Sequence, residues 1–271
     1  MERIGLLAGV GHLPVECTRA ALAQGYEVYA VGLLDDVDPE LRDCATGYAD
    51  INVAKLGKII DFLKSNGVTK VTAIGKVSKE LLMSGHHALP DFRMVRLLLS
   101  LRDHKDDTLM LKFADELKKD GMELADQTLL LRGLMPPVSV LTKRTPSANE
   151  RNDMQFGFRM AKELGRLDVG QTVVVKGQAV MALEAIEGTD ACIRRGGELA
   201  RGCAIVVKVA KPQQDKRFDV PAVGITTIES MIAVRATALA IEANETLVVD
   251  REKMVAMANA HDITIAAITA E

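Results

Sequence analysis

Apolar positions along the chain follow two periods, and they sort it into strands and helices. Arg3 to Ala8 is a short apolar run of strand length, followed by the glycine-rich GVGHLP. LPVECTRAALAQ then places its apolar residues at helical spacing and is closed by Gly25, a residue suited to a helix C-terminus. YEVYAVGLL is the next strand, and an acidic turn from Asp35 to Asp38 with Pro39 follows. Leu56 to Asn66 is a helix ended by Gly67, and VTKVTAIG is another strand. Strand, helix and strand in alternation predict a parallel sheet with crossover helices. Further helices are expected near Asp91 to Leu101 and Asp106 to Lys119, the second with Asp106 or Asp107 as N-cap and Gly121 as stop.

The pattern breaks between Leu131 and Asp153, where three prolines and several basic residues interrupt it. This stretch is expected to be a crossing between domains with some ordered contact of its own. The organisation predicted is residues 1–132, a linker 133–152, and residues 153–271. Beyond the crossing, Asp153 to Leu167 is helical, and QTVVVKGQAVMALEA is two strands joined at Lys176-Gly177. Thr189 to Arg201 is expected as a helix and CAIVVKVA as a buried strand. ITTIESMIAVRATALAIEA is expected as one long amphipathic helix, ETLVVD as a strand, REKMVAMANAH as a helix and DITIAAIT as the last strand. The fold class is therefore α/β: an N-terminal Rossmann-like parallel-sheet domain, then a distinct C-terminal α/β domain.

Composition narrows the function. The 271 residues are 48% apolar and 26% charged, with net charge -3, so no global basic field invites nucleic acid. Aromatics are 3% with no Trp, which argues against base-stacking surfaces. Cys17, Cys44, Cys192 and Cys203 show no C-x-x-C spacing, which fits buried thiols in a reducing compartment rather than a disulfide frame or zinc site. No stretch of about 18 residues lacks charge, so no transmembrane helix is expected and the protein is read as cytoplasmic.

Candidate chemistry gathers at loops. Gly9 and Gly11 leave a strand and enter a helix, whose N-terminus can receive phosphate, but Pro14 stands where the dinucleotide fingerprint wants its third glycine. Lys76 and Lys79 end a strand of the same half and are candidate phosphate partners; His86 and His87, adjacent in sequence, make a poor metal pair. In the second half, Glu184, Glu187 and Asp190 crowd one short stretch beside Arg194 and Arg195, with Thr189 or Asp190 placed to cap a helix. The loop AKPQQDKRFDVPAVG adds Gln214, Asp215 and Asp219 with Lys211, Lys216 and Arg217, stiffened by Pro212 and Pro221. Carboxylates plus cations on loops suit a divalent ion such as magnesium bound to a phosphorylated ligand.

GLLAGVGHLP, DVGQTVVVKG, EAIEGTDACIRR and VKVAKPQQDKRFDVPAVGITTIES resemble, in order and spacing, the UDP-2,3-diacylglucosamine diphosphatases of the LpxI type. The resemblance covers almost the whole chain. It implies magnesium-dependent hydrolysis of UDP-2,3-diacylglucosamine to UMP and 2,3-diacylglucosamine 1-phosphate in lipid A synthesis, with the lipid held in a cleft between two domains. It places the catalytic aspartate at Asp219, which would bind magnesium or orient water, with Asp215, Glu187 and Asp190 assisting. Lys211, Arg217 and Arg194 would hold the diphosphate, Gln214 and Thr189 the substrate, and Gly9, Gly11 and Lys76 part of the nucleotide sugar. A peripheral contact with the inner membrane and a homodimer are compatible with it. Two other readings stay open here: an NAD(P)-dependent oxidoreductase and a non-catalytic binder of lipid or nucleotide sugar.

Overall fold

The computed structural model describes residues 1–75, 77, 89–101, 106–217 and 220–270. They form two compact units, residues 1–130 with 216 and 217, and residues 131–215 with 220–270.

The first unit contains β1 (Arg3–Ala8), α1 (Leu13–Ala23), β2 (Glu27–Gly32), α2 (Glu40–Cys44), β3 (Gly47–Asp50), α3 (Leu56–Ser65), β4 (Lys70–Ile74), α4 (Phe92–Leu99), α5 (Asp106–Lys119), β5 (Glu123–Leu124) and α6 (Thr128–Leu131). Its sheet has the order β3-β2-β1-β4-β5, and every pairing is parallel. β1 is central, so five of its six residues are buried and it reads as a continuous apolar run. Helix α3 buries Leu56, Ile59, Ile60 and Leu63 at helical spacing, in one cluster with Leu7, Val31 and Val71. Asp91, expected as the first residue of a helix, is instead the N-cap of α4, its carboxylate accepting from Met94 N at 2.8 Å and from Gly57 N at 2.7 Å. The chain reverses direction across the sheet between β1 and β4, where ligands of open α/β sheets collect. There Gly9 N donates to the Ile74 carbonyl at 2.8 Å. Gly75 has φ +95°, and a Cβ on it would stand 2.9 Å from the Gly9 carbonyl carbon, so the two turns approach more closely than a side chain permits.

The second unit contains β6 (Ser139–Val140), α7 (Ala148–Arg166), β7 (Thr172–Lys176), β8 (Ala179–Leu183), α8 (Thr189–Ala200), β9 (Ile205–Lys208), β10 (Ala222–Val223), α9 (Ile225–Ala233), β11 (Ala238–Glu242), β12 (Leu247–Val248), α10 (Arg251–Ala260) and β13 (Thr264–Ile268). Six strands are ordered β6-β13-β11-β9-β7-β8, with β10 and β12 as a separate parallel pair. β9, β11 and β13 run parallel, while β6, β7 and β8 pair antiparallel to their neighbours. Alternation along each strand divides the core. Val174, Val206, Leu239, Ile241 and Ile265 share a cluster with residues of α8, α9 and α10. Val173, Val175, Val207, Ala240 and Ala266 share another with Met154, Phe158 and Ala161 of α7.

Residues 133–152, expected as a crossing, contribute secondary structure to this unit. Ser139 and Val140 pair with β13. Helix α7 starts at Ala148 rather than Asp153, because Ser147 and Glu150 form a capping box. The long helix expected from ITTIESMIAVRATALAIEA is instead helix α9 and strand β11. Val234 ends the helix, Arg235 turns through φ +54°, and ALAIE becomes a strand between β9 and β13. Both faces of that strand are buried, so its apolar residues run together and mimic a helical stripe.

Candidate active site

β9 ends at Lys208, two residues past Val206 and therefore on the α8 side of the sheet. Thr172 of β7 stands directly opposite it in the antiparallel register, on the same face. Both converge on Thr189, the first residue of α8. Lys208 Nζ donates to Thr189 Oγ1 at 2.9 Å, and the Thr172 and Thr189 hydroxyl oxygens are 3.4 Å apart. Thr189 Oγ1 donates to Glu184 Oε1 at 2.9 Å, while Glu184 Oε2 accepts from Gln171 N at 3.2 Å. Lys208 also donates to the Ala222 carbonyl at 2.9 Å. Gly170 permits this packing, because a Cβ there would lie 2.2 Å from the Glu184 carbonyl oxygen. Lys208 is not among the residues that the motifs single out. Its one signal was a lysine inside the apolar run AIVVKVA, at a position the strand pattern reserves for the core.

Around the start of α8 the expected carboxylates diverge. Glu187 Oε2 accepts from Ala185 N at 3.0 Å, and its other oxygen is ion-paired with Arg195, which also donates to the Leu183 carbonyl at 2.8 Å. The Arg195 hydrogen bond holds the Glu187 carboxyl below the usual carboxylate range. Glu187 is therefore engaged in tying the turn to the helix. Asp190 is half-buried, and its carboxylate has no partner among the described residues. Arg194 is exposed and donates to Ser230 Oγ at 3.2 Å.

The loop after β9 is anchored at its root. Lys162 of α7 donates to the Ala210 carbonyl at 2.9 Å and to both Glu242 oxygens at 2.8 Å, and Ala210 N donates back to Glu242 Oε2 at 2.8 Å. The next residues form a turn: Gln214 Oε1 accepts from Lys211 N at 2.9 Å, and Gln213 Nε2 donates to the Gly165 carbonyl at 2.9 Å. Lys211 Nζ reaches Asp168 at 3.0 Å. Gln214 Nε2 is buried without a hydrogen-bond partner among the described residues, and a buried N–H donor in that state favours a ligand oxygen. Asp215 and Arg217 are half-buried. Asp219 lies outside the described residues, as do Lys76, Lys79, His86 and His87.

In the first unit, Gly9 lies on the turn already described, and Gly11, with φ +107°, bridges Val37. His12 precedes α1 without capping it, and its Nδ1 lies 2.7 Å from Asp38 Oδ2. Asp38 Oδ1 accepts from Glu40 N at 3.0 Å, and Glu40 is ion-paired with Arg19. His12, Asp38 and Glu40 are the one group among the described residues whose side chains stand close enough to hold a metal ion together, and each is already engaged, His12 with Asp38 and Glu40 with Arg19. Of the four thiols expected to be buried, Cys17 and Cys192 are, and burial pushes both up to about 12. Cys44 is half-buried, and Cys203, in a left-handed backbone conformation shortly before β9, is exposed.

Fold and geometry together define a two-domain α/β protein, one domain a doubly wound parallel sheet, the other carrying a polar cluster at the carboxyl end of its central strand. The LpxI N-terminal domain family matches residues 3–134, and the LpxI C-terminal domain family matches residues 137–266. The chain belongs to the LpxI family. It is 34% identical over 270 residues to the UDP-2,3-diacylglucosamine pyrophosphatase LpxI of Caulobacter vibrioides, covering 96% of this chain and 95% of that one. Two solved structures that it resembles are far more distant. A biotin carboxylase domain of a single-chain bacterial carboxylase is 17% identical with a TM-score of 0.29, over 64% of this chain and 36% of that one. N5-carboxyaminoimidazole ribonucleotide synthetase from Thermotoga maritima is 14% identical with a TM-score of 0.26, over 69% of this chain and 42% of that one. The chain spans well under two thirds of both.

Proposed function

We propose that the chain hydrolyses the pyrophosphate bond of UDP-2,3-diacylglucosamine in lipid A synthesis, releasing UMP and 2,3-diacylglucosamine 1-phosphate. The observation that carries this reading is the 34% identity to the Caulobacter vibrioides pyrophosphatase across 96% of the chain. Asp219 is assigned to the attack on phosphorus, with Asp215 assisting. Lys211, Arg217 and Arg194 neutralise the diphosphate, and Gln214 Nε2 supplies a donor already stripped of water. Thr189 is a less suitable substrate ligand, since its one hydroxyl proton is directed at Glu184. Gly9, Gly11 and Lys76 receive part of the nucleotide sugar. Acyl chains add up to about 0.8 kcal/mol per fully buried CH₂ before ordering costs, so the lipid contributes much of the affinity.

Magnesium is proposed as the cofactor. A hard cation with oxygen ligands fits Asp190, whose carboxylate has no described partner, better than Glu187, whose two oxygens are already engaged. Asp190 and Asp219 would hold the ion, and it would neutralise charge on the phosphate oxygens. No helix among the described residues is long and apolar enough to cross a membrane.

Purified protein incubated with UDP-2,3-diacylglucosamine is expected to release UMP, seen by mass, in magnesium and not in excess EDTA. Asp219→Ala is expected to abolish release while retaining lipid binding. A wild type that gives no UMP overturns the activity, and an Asp219→Ala variant as fast as wild type overturns the residue assignment.

A further inference from the structure

The central strand of the second unit carries a charge at a position that is 7% exposed. Strand β9 is paired at Lys208 on both sides, to β7 and to β11, and Lys208 ends the face whose Val206 belongs to the apolar cluster. An ammonium group persists in such a place only where acceptors replace water. Two such acceptors are Thr189 Oγ1 and the Ala222 carbonyl, each at 2.9 Å. They belong to different parts of the chain. Thr189 is the first residue of α8, beside Asp190, and Ala222 opens β10 immediately after the loop that starts at Lys211. Beyond Thr189 the network continues to Glu184, so ammonium, hydroxyl and carboxylate form one chain of donors and acceptors. Packing alone does not call for this arrangement. A methionine of similar length fills the same space and needs no acceptors, so volume alone does not explain the charge.

We propose that Lys208 is a positioning residue for the hydrolysis. Its ammonium fastens the start of α8 to the exit of the polar loop and so holds Asp190 in register with that loop. A displacement of about 1 Å at a reacting centre costs on the order of 100-fold in rate. The inference rests on the pyrophosphatase reading.

The test measures UMP release by wild type, Lys208→Met, Lys208→Ala and Thr189→Val, together with melting temperature and lipid binding. Lys208→Met is expected to lower kcat about 100-fold with KM within about threefold and with a lower melting temperature, because Thr189 and the Ala222 carbonyl lose their donor. Propylammonium, which replaces the three carbons and the charge removed in Lys208→Ala, is expected to restore activity in a saturable way. 1-Propanol, which has as many heavy atoms without charge, is expected not to. Thr189→Val is expected to reproduce the kcat loss, and it serves where Lys208→Met does not fold. Folded Lys208→Met or Thr189→Val with wild-type kcat overturns the proposal, as does rescue by 1-propanol equal to rescue by propylammonium. A wild type without UMP release overturns the activity reading itself, whereas an active wild type with an equally active Lys208→Met overturns only the role of Lys208.

Discussion

Glu187 and Asp190 stand three residues apart in one acidic stretch, and the structure gives them different work. The oxygens of Glu187 are engaged by Arg195 and the Ala185 amide, while Asp190 has no described partner. Asp190→Asn is therefore expected to weaken magnesium activation about 10- to 100-fold, and Glu187→Gln to leave it unchanged. Metal titrations of UMP release compare them directly; equal effects would remove the distinction. The sequence showed that carboxylates crowd here, since EAIEGTD is contiguous. It could not show which of them is consumed, because Arg195 meets Glu187 only once the helix has turned twice. Thr189 is similar: its place at the helix start was legible, but the direction of its single proton depends on Glu184 and on Lys208 from another strand.

At the scale of elements, the loop carrying the expected catalytic residues hangs from a clamp between strand ends. Glu242 closes β11 on the α7 side, so it meets Lys162 and the Ala210 amide together. Glu242→Ala leaves that amide and the lysine without their acceptor, and is expected to cost about 1–3 kcal/mol in denaturant unfolding. Glu242→Gln keeps one acceptor and is expected to cost less. An alanine variant as stable as wild type would show that the loop is held elsewhere. Most elements were legible from period and punctuation, among them β1, α3, the β7–β8 hairpin and α8. The failures have two causes. β11 is buried on both faces and lost its alternation, while β3, β6 and β10 are too short to show a period and exist through their pairing partners.

At the scale of the whole molecule, both units carry carboxyl groups held below their ordinary range. In the first, the His12 hydrogen bond lowers Asp38 and Arg93 lowers Asp120. Burial pushes Glu116 up, but Lys119 and Arg93 outweigh it. In the second, burial pushes Glu150 up, and Arg144, the Ser147 amide and Thr237 outweigh it. A depressed carboxyl contributes stability that is complete above its unfolded value of about 4 and is lost as pH falls through its folded value. Unfolding free energy is thus expected to be level near neutrality and to decline below about pH 4.5. Stability unchanged between about pH 5 and 3 would contradict the linkage.

The alternation that divides the second core has a further outcome for the evolution of β9. Exchanging Ile205, Val206 or Val207 for another aliphatic residue disturbs only packing. Deleting any one of them rotates everything downstream by half a pleat, sending the Lys208 side chain under Phe158 and Met154 and a hydrocarbon toward Thr189. Homologous sequences should therefore drift freely in identity across this segment while keeping its length, with gaps confined to the turns on either side.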